Sequence, residues 1–195
     1  MSVLMRAREI TGRPVVAIST ADAVAEVKDV VISQPSASVV GFTLNKRGFL
    51  GSPMKEVLPW ERVLALGRDA LMVDDPGALT AQDAAIDEAR AQGRDRDVIG
   101  ATVMTDAGKA LGGVVDVILE VDDGAARIVG YEVHGPEVQR DREAATLLIP
   151  VGEAIAVSGE TLMVPAAVEG FVRDDLSGFG SAVADYRARL SEDGR

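Results

Sequence analysis

The sequence predicts a mainly β protein, two small β-barrels joined by a short helical linker and followed by a C-terminal helix. Three observations predict it. One pattern of apolar, glycine and proline positions occurs twice in the chain. Turn-forming residues divide each copy into short runs rich in Val, Ile and Leu. Aromatic residues make up only 4% of the chain, so each core has to be assembled from Val, Ala, Leu and Ile.

The duplication is clearest between Leu58–Val73, LPWERVLALGRDALMV, and Ile149–Val164, IPVGEAIAVSGETLMV, which align without a gap at an offset of 91 residues. Pro59 matches Pro150, Ala65 matches Ala156, and Leu71-Met72-Val73 matches Leu162-Met163-Val164. Upstream, AVAEVKDVVI corresponds to ALGGVVDVIL with Asp29 matching Asp116, and Val39–Leu44 corresponds to Ile128–Val133 with Gly41 matching Gly130. Segments recurring in one order at a slowly growing offset are what loop insertions after a duplication produce.

Each copy reads as strands. Val114–Leu119 is rich in β-branched residues, and Asp122-Asp123-Gly124 separates it from Arg127–His134, a hairpin in which glycine would supply the φ > 0 of a tight turn. Gly67 and the pair Ser158-Gly159 divide the closing strands of the two copies. Gly108, Gly112 and Gly113 predict a sharp turn and a kink where the sheet curls. Five or six strands in about 70 residues imply a closed or half-open barrel. So small a barrel buries little surface, and the copies are expected to pack on each other or on another molecule.

The organisation follows as a first barrel over 1–79, a helical linker over 80–97, a second barrel over 98–175, and a C-terminal helix and tail over 176–195. In the linker, Thr80 is the expected N-cap, with Asp83 in the first turn and Gly93 at the C′ position. At the C-terminus Phe179, Val183, Tyr186 and Leu190 fall on one helical face. SGFGSAV, Ser177–Val183, imitates a phosphate loop but lacks the surrounding βαβ unit. It reads as a lead-in with Ser181 capping the helix.

Charge and composition exclude several classes. No cysteine is present, which removes disulfides, thiolate catalysis and the usual structural zinc sites. No apolar run approaches the roughly 20 residues of a membrane helix, and the N-terminus lacks a secretory h-region, so a cytoplasmic protein without membrane insertion is expected. Met1–Leu79 holds nine Lys/Arg against nine Asp/Glu, leaving the whole net charge of −11 in the remainder. That acidic second half disfavours nucleic acid.

Candidate site residues are few. Lys46, Arg47 and Phe49 fall at an expected hairpin tip with Lys55 nearby, cations beside an aromatic that suit a protein hot spot or a stacked RNA base. His134, the only histidine, opens a loop, and no second His or Cys accompanies it as a metal ligand. Trp60, the only tryptophan, has Val151 as its counterpart, which favours a packing role over a shared catalytic one. No calcium loop, nucleophile elbow or Walker motif appears, so no catalytic, cofactor or metal residue is assigned and no enzyme is expected.

The order of the motifs resembles the PRC-barrel family. It comprises the LGGVVDVIL opening, the IVGYEV strand, the IP step and the closing LMV strand, with copy two the fuller match. Copy one lacks the Gly112-Gly113 pair but keeps the Pro59-Trp60 step. The family includes the cytoplasmic part of the photosynthetic reaction-centre H subunit and the C-terminal domain of a ribosome maturation factor. The resemblance implies a docking or assembly role and carries over no functional residue. The expected function is therefore a cytoplasmic adaptor with a protein partner, a homodimer being one form. The alternatives are an RNA-processing or ribosome-assembly factor, and a ligand-binding protein or enzyme with a pocket between the barrels.

Overall fold

The computed structural model describes residues 2–33, 36–48, 51–93, 98–122, 124–135, 146–151, 156–157 and 160–193. The chain forms two compact units, Ala7–Arg94 and Met1–Arg6 with Asp95–Arg195. The first strand, β1 (Val3–Arg6), thus belongs with the second half of the chain rather than with the first barrel.

The first unit contains β2 (Pro14–Ala17), β3 (Asp22–Ser33), β4 (Ser38–Asn45), β5 (Pro53–Pro59), β6 (Ala65–Leu66), β7 (Leu71–Val73) and α1 (Ala84–Gly93). The strands form a curled half-barrel sheet in the order β5-β4-β3-β2-β7-β6. All pairs are antiparallel except β2 with β7, which run parallel. Alternation sends Val15, Ala17, Val27, Leu44, Leu71 and Val73 inward to essentially complete burial. Register shifts at Val15/Val16, Val27/Asp29 and Val31/Ile32 supply the curl that a flat 12-residue strand would resist.

The helix is not a free linker. Ile86 and Ala89 of α1 are buried against Val31 and Val57. Gly41 makes the close approach possible, since a Cβ there would lie 2.5 Å from both Ile86 Cδ1 and the Leu58 carbonyl oxygen. The expected cap is displaced by three residues. The Asp83 carboxylate accepts from the Ile86 amide at 3.0 Å and is the N-cap. Thr80 instead exchanges backbone hydrogen bonds with Val57, at 2.8 and 3.0 Å.

The second unit contains β8 (Thr102–Thr105), β9 (Ala110–Val121), β10 (Ala126–His134), β11 (Thr146–Pro150), β12 (Ala156–Val157), β13 (Thr161–Val164) and α2 (Leu176–Asp193), together with β1. Its order β11-β10-β9-β8-β13-β12 repeats the first, including the single parallel pair, here β8 with β13. β1 adds antiparallel to the far end of β9, with Val3 opposite Val121 and Arg6 opposite Ile118. Phe179, Ala182, Val183 and Tyr186 of α2 are buried as the spacing predicts, and Leu190 is half-buried. Phe179 and Val183 pack on Ile118, Val129 and Leu148.

Three local expectations are corrected. The terminal helix is capped by Asp175, whose carboxylate accepts from the Gly178 amide at 2.9 Å and from the Ser177 hydroxyl. Ser181 lies exposed inside the helix, because the Asp175 cap carries the two glycines into the first turns. Gly124 has no left-handed φ. The β9–β10 turn is closed instead by the Asp122 carboxylate, which accepts from the amides of Gly124 (3.0 Å) and Ala125 (2.8 Å). The kink glycines behave as expected, with Gly108 at φ +80° and Gly112 at φ +137°. A Cβ on Gly112 would overlap the His134 carbonyl. Ser158-Gly159 lies outside the described residues.

Candidate functional site

The β4–β5 hairpin end gathers the cations that the sequence singles out. Asn45 pairs with Pro53, and the Lys46 amide donates to the Ser52 carbonyl at 2.9 Å, so the strands stay zipped up to the tip. Lys46 and Arg47 follow β4 directly and are exposed, as is Lys55 two residues into β5. Phe49 lies outside the described residues. One hairpin end thus presents three cations on a unit whose ten Lys/Arg nearly balance its twelve Asp/Glu, whereas the other unit has ten against nineteen.

Trp60 is separate in kind. It begins a 3₁₀ turn over Trp60–Arg62 directly after Pro59, whose fixed φ of −63° suits the start of a helical turn. Its ring stands 6.1 Å from that of Phe42, tilted by 42°, so it packs against its own half-barrel and is half-buried. In the second unit the same register pairs Tyr131 with Ile149, where Phe42 pairs with Leu58. Burial pushes the Tyr131 phenol up.

His134 ends β10 rather than opening a free loop. It pairs with Thr146 on β11 and Gly113 on β9, and its side chain is exposed. Its counterpart position in the first unit is Asn45. Among the described residues, no group of three or more His, Asp or Glu side chains is placed to hold a metal. The first unit has a shallow groove of about 290 Å³ lined by Glu61, Arg62, Thr80 and Asp83. The second has one of about 570 Å³ lined by Leu4, Leu176, Gly180 and Val183.

Two features went unread in the sequence. The first is a buried charge group. Asp116 and Glu132 face each other across β9 and β10 at 4% and 1% exposure, and Arg6 from β1 makes an ion pair with Glu132. Asp116 also accepts from the Val117 amide at 2.8 Å. Arg6 lies 126 residues from Glu132 in the chain, so no local pattern announces the pair. The corresponding pair in the first unit is Asp29 with Thr43, an exposed hydrogen bond of 3.1 Å. The second feature is the outward side of the β2–β7 pair, where alternation places Val16 and Met72 between fully buried neighbours.

Two repeated, curled half-barrels, each closed by a helix, define a tandem small-barrel protein. The PRC-barrel domain matches the chain twice, over residues 3–79 and 92–169, and the chain belongs to that family. No curated protein matches the sequence. Among the described residues no helix is long and apolar enough to cross a membrane.

Proposed function

We propose that the chain is a non-enzymatic docking or assembly module of the cytoplasm, whose first barrel binds a protein partner through the β4–β5 hairpin end. The observation that carries this reading is the exposure of Lys46, Arg47 and Lys55 together on the less acidic unit. Cations there suit a partner surface bearing carboxylates, and complementary fields chiefly set encounter rate and register. Arginine is also among the residues enriched in binding hot spots.

The test is capture from the native cell with the full-length chain and with the double variant Lys46→Glu, Arg47→Glu. A specific protein retained by the wild type and weakened by about tenfold or more in the variant supports the reading. Equal capture by both chains refutes it. The same cations support a second reading, RNA binding in ribosome assembly. That reading requires fluorescence anisotropy to detect an RNA oligonucleotide at low salt, with affinity falling steeply as salt rises.

A further inference from the structure

The outward side of the first half-barrel carries a continuous apolar row. Backbone register places Ala23 of β3 opposite Val16 of β2, Val16 opposite Met72 of β7, and Met72 opposite Ala65 of β6. Val15, Ala17, Leu71 and Val73, on either side of Val16 and Met72, are buried, so Val16 and Met72 point away from the core. Ile18 continues the β2 alternation outward and is 55% exposed. Leu64, whose amide donates to the Met72 carbonyl at 2.8 Å, stands beside it at 60% exposure. Two of the four large hydrophobic side chains most exposed among the described residues therefore flank one row.

The sister unit shows that the fold does not require this. There the same register gives Ala110, Met104, Met163 and Ala156, but Asp106 stands where the first unit has Ile18. The correspondence is fixed by the backbone, since Ile18 donates to the Val73 carbonyl and Asp106 to that of Val164. Asp106 has a local task, accepting from the Ala166 amide at 2.8 Å. Ile18 presents an exposed apolar side chain where the sister unit has a capping carboxylate.

We propose that this face joins two copies of the chain in a two-fold homodimer, first barrel to first barrel. Charge selects the occupant. A two-fold contact sets each patch against itself, so its rim must carry both signs. The exposed rim does so in adjacent opposite pairs, Glu61-Arg62 before Leu64 and Arg68-Asp69 in the turn before β7. The second unit, with ten basic against nineteen acidic residues, would repel its own copy. A side-by-side strand addition is disfavoured because the edge strand β6 has two residues. The row spans four strand positions, fewer than the roughly 20–30 residues a side of a standard interface, so a weak, reversible contact of about micromolar affinity is expected. This surface is distinct from the cationic hairpin end, and the two proposals fail independently.

Sedimentation velocity of the full-length chain tests it across about 1 to 100 µM, bracketing the expected affinity. The expected result is a reversible shift from the 20.4 kDa monomer toward twice that mass, retained in high salt because the contact is apolar. Ile18→Asp and, separately, Leu64→Lys should each weaken the dimer by about tenfold or more, since each buries an unpaired charge. Ile18→Asp is compatible with folding because the second barrel carries Asp106 at that place. Leu64 is exposed at the edge, so Leu64→Lys decides the matter if Ile18→Asp unfolds in a thermal melt. Lys46→Glu with Arg47→Glu should leave the dimer intact. A chain monomeric throughout the range, a dimer indifferent to both face variants, or open-ended higher oligomers would each overturn the proposal.

Discussion

The two barrels agree in their apolar cores and disagree at their polar and exposed positions. Val31, Val40, Val57 and Ile86 in one core stand where Ile118, Val129, Leu148 and Phe179 stand in the other. The backbone details repeat as well. Gly12 at φ +83° donates to Val27 as Gly100 at φ +89° donates to Val114. Val57 bridges Thr80 as Leu148 bridges Arg173. Gly41 admits Ile86 of α1, and Gly130 admits Phe179 of α2. The repeated unit is therefore a half-barrel together with its own helix. Outside the apolar cores the pairs differ in chemistry, Trp60 against Val151, Ile18 against Asp106, and the exposed Asp29-Thr43 against the buried Asp116-Glu132. What the two copies share is the scaffold, and what differs between them lies outside the apolar core.

The largest expected effect tests whether both helices are structural. Phe179→Ala should cost about 3–5 kcal/mol and Ile86→Ala about 2–4 kcal/mol, because both side chains are fully buried. Chemical denaturation of the full chain checks this, and a near-neutral Ile86→Ala would return α1 to the status of a linker. Next come the two glycines. Gly130→Ala forces a methyl group against the Phe179 ring and to 2.8 Å from the Ile149 carbonyl, and Gly41→Ala meets the same kind of obstruction. Each should lose about 1–3 kcal/mol. A tolerant Gly41 beside an intolerant Gly130 would break the equivalence.

Arg6→Ala addresses a difference rather than a likeness. It leaves the buried Glu132 carboxylate without that ion pair and should destabilise the second unit by about 2 kcal/mol, at the lower end because Arg6 retains some solvent contact. The first unit should be unaffected, which local hydrogen exchange would show. Trp60→Val, which imposes the residue of the second copy, should cost about 1 kcal/mol, since the ring is only half-buried on Phe42. The smallest effect concerns pH. Amide hydrogen bonds from Gly124 and Ala125 hold the Asp122 carboxyl below its ordinary 3.8. A depressed folded-state value contributes stability that is present above 3.8 and is lost as pH falls through the folded value. Asp122→Asn should therefore lower stability slightly at neutral pH, where the carboxylate contribution is present, and flatten the acid limb of a stability-against-pH curve.

Much of this scaffold was legible in the chain. The duplication, the strand runs, the kink at Gly112 and the apolar face Phe179–Tyr186 follow from spacing and residue type, which are local properties. The helix caps were misplaced for a physical reason. Thr80 is an adequate cap by type, but its backbone is claimed by Val57, a partner no local window contains. The equivalence of α1 and α2 was hidden because Ile86 and Phe179 share only a place in the fold. Surface chemistry was the least legible part. Nothing local to Val16 and Met72 says which way they face, which register alone decides, and Arg6 meets Glu132 only through β1 pairing with β9.

The account depends most on α1 being part of the first barrel, and hydrogen exchange on the full-length chain measures that directly. The amides of Ile86–Arg90 should be protected to the same degree as the paired amides of β4, and in parallel with those of α2 on its own barrel. Rapid exchange throughout α1, with α2 still protected, would contradict it.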